Sequence, residues 1–278
     1  MEKPLIKLYI VMIVSIAVAM VIVPSVVGHT VGWAEETITY AQILTACADN
    51  VNPPAPGTGK VVFVMDDGWK TQYSAGYKVL KRFDFPACIA VIPEAVGLAE
   101  YMDYSELATL YNDGWDMVNH TYNHFNLSEL DEREQSEQML RGRTWLKDKG
   151  FVRGSDIVVF PGGAYNDLTL QIMNEQGLVA GRSLATLWVT SDNGMLEDTH
   201  IFNVLSTSKL ENIKSEIDKA AVNESTLVLL FHKIEPVTND TKMQVDEEML
   251  KSIAAYIDGY GDEISVVTLS GLLAAAVD

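Results

Sequence analysis

The chain has 278 residues, 38 acidic against 20 basic, with 48% hydrophobic and 9% aromatic side chains and two cysteines. That is enough apolar surface for one large α/β domain, and it excludes a disordered chain, a collagen, a coiled coil and a disulfide-stapled miniprotein. A formal charge of −18, with no cluster of Lys or Arg, argues against nucleic acid as a partner and leaves small molecules and neutral glycans as the better fit.

The first predicted element stands apart from the fold. Leu8 to Val23 form an unbroken apolar and small run, preceded by Lys3 and Lys7 and followed by Pro24, which reads as an export signal. Extended to Val27 the run reaches the ~20 residues of a membrane span, so residues 1–34 are expected to be a basic cytoplasmic end plus a signal peptide or an uncleaved signal anchor. The positive-inside rule then puts the rest of the chain outside the cytoplasm, on the outer face of the membrane if anchored and secreted if cleaved. Residues 35–59 form a polar, Pro- and Gly-containing linker. Cys47 and Cys88 could pair in an oxidising compartment, and Cys88 also reads as an inert buried thiol. Asn-x-Ser/Thr sequons begin at Asn119, Asn126, Asn223 and Asn239.

Residues 60–278 read as one alternating β/α domain. Strands are expected at Lys60 to Met65, Pro86 to Pro93, Trp115 to His120, Asp156 to Phe160, Thr226 to Phe231 and Ile264 to Leu269. Each is a short apolar run without alternation, as in a strand covered on both faces. A helix is expected from Ser128, whose spacing to Asp131 resembles a capping box, through a charged stretch to Lys149 and a stop at Gly150. Val245, Met249, Ile253 and Ile257 recur at i+4 beside Leu250 and Ala254, with Gly259 as the stop of a second helix. The repeat implies a mostly parallel sheet, open or closed into a barrel.

The reactive side chains cluster where these strands end. Asp66 and Asp67 follow the first strand with Gly68 behind them, a pair that suits a metal ligand beside a proton carrier and equally suits an ordinary turn. His120 and His124 lie four apart after the third strand, and both could face one ion if a helical turn separated them. Pro161, Gly162 and Gly163 follow the fourth strand and could expose an N–H to an oxyanion. His232 ends a very apolar strand, either as a core residue or as a titrating group in a pocket.

Taken in order, these segments resemble the polysaccharide deacetylases, the NodB-homology domain of carbohydrate esterase family 4, from about Lys60 to Leu273. The family's Thr-Phe-Asp-Asp-Gly appears as Val64, Met65, Asp66, Asp67, Gly68. His-Ser/Thr-x-x-His is matched by His120, Thr121, Tyr122, Asn123 and His124, and Leu-x-His by Leu230, Phe231, His232.

The resemblance implies a distorted (β/α) barrel of about seven parallel strands, with a divalent metal held at the strand ends by Asp67, His120 and His124. Zn²⁺ is the expected ion, with Co²⁺, Mn²⁺ or Ni²⁺ also compatible. It implies Asp66 as general base, His232 as general acid, the Gly162 N–H at the oxyanion and Thr121 as a support, with Pro161, Gly163 and Tyr165 near the substrate. The family's third motif carries an Arg that this chain lacks beside Phe160, and Arg182 is the candidate substitute. Trp188 and Asp192 are the nearest candidates for the fourth motif, as a pocket wall and a partner for His232. The implied reaction is hydrolytic N-deacetylation of an N-acetylated glycan by an enzyme that meets the membrane through its N-terminal segment. A metal amidohydrolase for small amides and a noncatalytic, membrane-tethered glycan-binding module are the alternatives.

Overall fold

The computed structural model describes residues 53–190, 194–196, 198–238 and 242–275. The expected membrane segment, Cys47, most of the linker, Asp192 and the sequon at Asn239 lie outside the described residues. Among the described residues, no helix is long and apolar enough to cross a membrane.

Along the chain, β1 (Gly59–Met65), β2 (Cys88–Val91), β3 (Asp116–Asn119), β4 (Ile157–Val159) and β5 (Ala180–Arg182) are followed by β6 (Leu187–Val189), β7 (Gly194–Met195), β8 (Thr199–Asn203) and β9 (Thr226–Phe231). β10 (Lys233–Ile234) and β11 (Gln244–Val245) pair with each other, and β12 (Ile264–Val266) returns to β1. The main sheet runs β7-β6-β5-β4-β3-β2-β1-β9-β8, with β12 alongside the first half of β1. Its parallel pairings join eight strands, from β5 across to β8 and including β12, while β6 and β7 add antiparallel pairings at one end. The barrel-like sheet is therefore larger than the seven or so strands expected.

The strands missed in the sequence have physical reasons to be obscure. Ala180, Gly181 and Arg182 contain no β-branched residue, yet Gly181 is required in β5, because a Cβ there would collide with Phe160 and Met173. Tertiary packing, not intrinsic propensity, makes this segment a strand.

Helices α1 (Tyr104–Asn112), α2 (Glu132–Asp148), α3 (Asp167–Glu175), α4 (Leu210–Val222), α5 (Glu247–Asp258) and α6 (Leu269–Ala275) punctuate the strands. The start of α2 differs from the sequence expectation. Its N-cap is Asp131, in a reciprocal box with Glu134, whereas Ser128 lies in a short 3-10 turn capped by Asn126. Gly150 does end α2 in the left-handed region, at φ 84°. Gly259 stays right-handed at φ −63°, so it caps α5 without the expected left-handed turn, and Val245 belongs to β11, outside the helix.

Both faces of the sheet are buried, which explains why the strand sequences do not alternate with polar residues. Val61, Phe63, Met65, Leu227, Leu229 and Phe231 pack in one cluster with Leu107, Leu110, Ile213, Ile217, Leu250 and Ile253 of the helices. Val62, Val64, Val118, Val159, Ala180 and Val228 belong to a second cluster, which also takes in Leu269, Leu272 and Leu273 of α6. Burying each such side chain contributes roughly 1.5–3 kcal/mol. Cys88 is a free, buried thiol in the second cluster, and Asn119 is fully buried, which removes it as an acceptor for glycosylation in the folded chain.

Candidate active site

Strand alternation assembles the site. Val62 and Val64, Val118, Ala180 and Val228 all belong to the second cluster, so the period of two carries Asp66, His120, Arg182 and His232 to that same face at the C-terminal ends of parallel strands. Asp66, His120, Arg182 and His232 are all buried.

Asp67 sits in the turn beyond β1 with φ 77°, followed by Gly68 at φ 78°. Its Oδ1 lies 3.4 Å from His120 Nε2 and 3.3 Å from His124 Nε2. One donor atom from each of the three residues falls within 4.8 Å of the others. His124 reaches this position differently from the helical turn expected. Thr121 and His124 both adopt positive φ, 61° and 65°, and the His124 N–H donates to Thr121 Oγ1 at 3.1 Å. The Thr121 N–H in turn donates to Asn119 Oδ1 at 3.0 Å, so Thr121 is buried as a structural link in this bend. Asn119 also donates to the Met139 carbonyl of α2, in space kept open by Gly142, whose added Cβ would collide with Asn119 Oδ1.

The donor set fits a divalent cation. His120 Nδ1 lies 2.7 Å from the Val159 carbonyl, which can only accept, so the proton belongs on Nδ1 and the lone pair of neutral His120 is on Nε2, facing Asp67. Burial pushes the Asp67 carboxyl up, but contact with the His120 and His124 rings in their protonated form more than reverses it and holds the carboxyl well below the usual carboxylate range. Burial alone would lower the His120 pKa, but the hydrogen bond with Asp67 and the charges of Asp66 and Asp67 raise it above its ordinary value. Two nitrogens and one oxygen of this kind suit Zn²⁺ and its neighbours in the first transition row. The His124 side chain is 41% exposed, which opens the set to solvent.

Asp66 faces a different partner. Arg182 is fully buried on β5, and its Nη2 donates to both Asp66 oxygens. Arg182, the candidate substitute for the missing third-motif Arg, is thus the residue paired with Asp66. His232 follows β9, and its buried Nδ1 has no hydrogen-bond partner among the described residues. Gln72, which the sequence did not single out, is fully buried and donates to the Asp66 carbonyl at 2.6 Å and the His232 carbonyl at 2.9 Å. It staples the ends of β1 and β9 together.

Pro161–Gly163 form a 3-10 turn, with Gly162 exposed at φ 61°. The Gly163 and Ala164 N–H groups bond back to Phe160 and Pro161 within it. Tyr165 stacks on Phe160 at 5.1 Å between centroids and meets Trp188 edge-on at 6.0 Å, so these rings form one aromatic group beyond β4. On the other side, a cleft of about 340 Å³ runs from Asp67 and His124 past Trp69, Tyr101 and the exposed Leu98.

Residues 54–181 match the family described as polysaccharide deacetylase. The poly-β-1,6-N-acetyl-D-glucosamine N-deacetylase of Staphylococcus aureus is 28% identical over 144 residues, which cover 46% of this chain and 49% of the relative. The chain spans about half the length of the curated relatives it matches. Among solved structures, a candidate polysaccharide deacetylase from Mycobacterium smegmatis matches with a TM-score of 0.59 at 16% identity, over 82% of this chain and 94% of that one. A family 4 acetyl xylan esterase from Clostridium thermocellum, solved with a cobalt ion, matches with a TM-score of 0.54 at 15% identity, over 78% and 91% of the two chains. Over residues 54–181 the chain is thus similar in sequence to the polysaccharide deacetylases, and its fold is similar to that of solved members of carbohydrate esterase family 4.

Proposed function

We propose that the chain is a metal-dependent hydrolase that removes N-acetyl groups from the amino sugars of a polysaccharide. The observation that carries this reading is the convergence, on one sheet edge, of the Asp67, His120 and His124 donors with the Arg182-held Asp66 and with His232. Asp67, His120 and His124 would hold the cation, which when bound supplies Lewis-acid polarisation of an amide carbonyl and acidifies a nearby water towards pKa ~7.

The chain's own groups supply the proton traffic. Asp66, fixed by Arg182, accepts the proton of the attacking water on a carboxylate oxygen. The backbone N–H of Gly162, an exposed residue in the turn after β4, is the candidate donor to charge developing on the acetyl oxygen. His232, protonated on its ring, donates to the departing amine, leaving a free amino sugar and acetate. The Staphylococcus aureus relative is named for a polymer of N-acetyl-D-glucosamine, and the open cleft beside His124 suits a chain better than a small closed amide pocket would.

The proposal extends to residues 1–34, whose basic and then apolar order would place the domain outside the cytoplasm, tethered or released. Acetate release by the metal-supplied full chain is measured on β-1,6-linked N-acetylglucosamine oligomers, on peptidoglycan and on small acetamides. Release from the glycans is the expected result. Release from the small amides alone would overturn the substrate class.

A further inference from the structure

The two oxygens of Asp67 have separate partners. Oδ1 faces both imidazoles, at 3.4 Å and 3.3 Å, while Oδ2 accepts a hydrogen bond from Trp69 Nε1 at 2.8 Å. A carboxylate tied in this way presents one oxygen to an ion and withholds the other.

The indole is itself held in place. Trp69 and Tyr101 form an antiparallel bridge, and their rings stack with centroids 4.4 Å apart at 23°. The Lys233 ammonium lies 4.2 Å from the centre of the Trp69 ring and is tethered to Glu100 Oε2 at 3.0 Å. The backbone on either side is pinned too, by Lys70 N–H to the Glu100 carbonyl and Met102 N–H to the Gly68 carbonyl. Lys233 follows His232 directly, so the Trp69 ring links the turn carrying Asp67, the loop carrying Tyr101 and the segment carrying His232.

We propose that Trp69 is a positioning residue for the metal centre, its indole N–H occupying Asp67 Oδ2 so that Asp67 binds the cation through Oδ1 alone. This inference rests on the assignment of Asp67, His120 and His124 as metal ligands. Partners that orient a ligand in this manner typically change metal affinity by ~10–100-fold when removed. Tyr101 and Lys233 act at one further remove, by fixing the plane of the indole.

The test uses the full chain and the metal alone. Zn²⁺ affinity is measured by competition with a chromophoric chelator for wild type, Trp69→Phe and Tyr101→Leu, alongside the melting temperature of each metal-free protein. Trp69→Phe keeps a stacked ring and removes only the N–H donor. The expected result is a metal-free melting temperature close to wild type, Zn²⁺ binding about tenfold weaker or more, and a changed visible spectrum when Co²⁺ replaces Zn²⁺. Tyr101→Leu keeps the donor, so a smaller loss is expected, and it supplies the comparison if Trp69→Phe folds poorly: wild-type affinity in Tyr101→Leu would then count against the proposal. Wild-type affinity and an unchanged Co²⁺ spectrum in a folded Trp69→Phe would overturn the positioning role while leaving the deacetylase reading intact. Absence of Zn²⁺ binding by wild type would overturn both.

Discussion

Asp66 and Asp67 are neighbours at the end of one strand, yet the first faces a buried guanidinium and the second two imidazoles. On the proposed mechanism this difference separates a proton carrier from a ligand, and the two roles make distinct forecasts. Asp66→Asn and His232→Ala should each lower turnover by roughly a hundredfold or more, the scale of a positioned acid or base, while bound metal persists. Turnover per folded molecule and metal content measured on the same samples check this. If His232 were only a core residue, its replacement would lower the melting temperature and leave turnover of the folded fraction intact. Removing Arg182 is a different matter, because it strands the buried Asp66 charge. Arg182→Met should cost ~3–5 kcal/mol of stability by denaturant unfolding, and the double variant with Asp66→Asn should recover part of that loss.

Much of this residue-scale picture was legible because strand ends bring short motifs with them. Asp66, Asp67, His120, His124 and His232 follow apolar runs buried on both faces, and although each alone also suited a turn or a core position, their order along the chain pointed to one site. Arg182 was visible only as a candidate, since it lies 116 positions from Asp66 on a strand that does not look like one. Gln72 and Trp69 carried no signal, because an amide and an indole in a turn are common and only the fold shows what they touch.

At the scale of elements, the site depends on how closely α2 approaches the bend after β3. Gly142 leaves room for Asn119, Asn119 holds the Thr121 N–H, and Thr121 holds the His124 N–H. Gly142→Ala should therefore destabilise the fold by ~1–3 kcal/mol, the usual cost of overpacking, and weaken metal binding through His124 as well. Unfolding curves and metal titration on the same variant test it, with loss of stability at unchanged metal affinity as the contrary result. A second element contact predicts a pH dependence. Asp218 of α4 accepts hydrogen bonds from Tyr256 and Tyr260, and these hold its carboxyl below the ordinary 3.8. A depressed folded pKa contributes stability above the unfolded value that is lost as pH falls through the folded one. The difference in melting temperature between wild type and Asp218→Asn should thus be largest above about pH 4 and shrink in more acidic buffer. Helix boundaries were read from the sequence less well than strands, since Ser128 and Asp131 both have the chemistry of a cap and only the reciprocal bond with Glu134 selects Asp131.

On the scale of the whole molecule, the parallel direction of β1, β3, β5 and β9 gathers all these groups at one edge. The same topology explains why the order of motifs in the chain, more than any single motif, carried the reading of the fold. The sequence could not disclose the extra strands at the sheet's ends, because β7 is only two residues long and β5 is defined by packing around Gly181. On the proposed mechanism, acetate release requires a cation held by Asp67, His120 and His124. The most direct test of that requirement measures bound divalent metal and acetate release from N-acetylglucosamine oligomers together, on the full chain as purified, after chelation and after metal is restored, with His120→Ala as the control. The expected result is about one ion per wild-type chain, as for a three-ligand catalytic site, with activity that falls and returns with that ion and a variant that has neither. Undiminished acetate release from folded, metal-free wild type would contradict it.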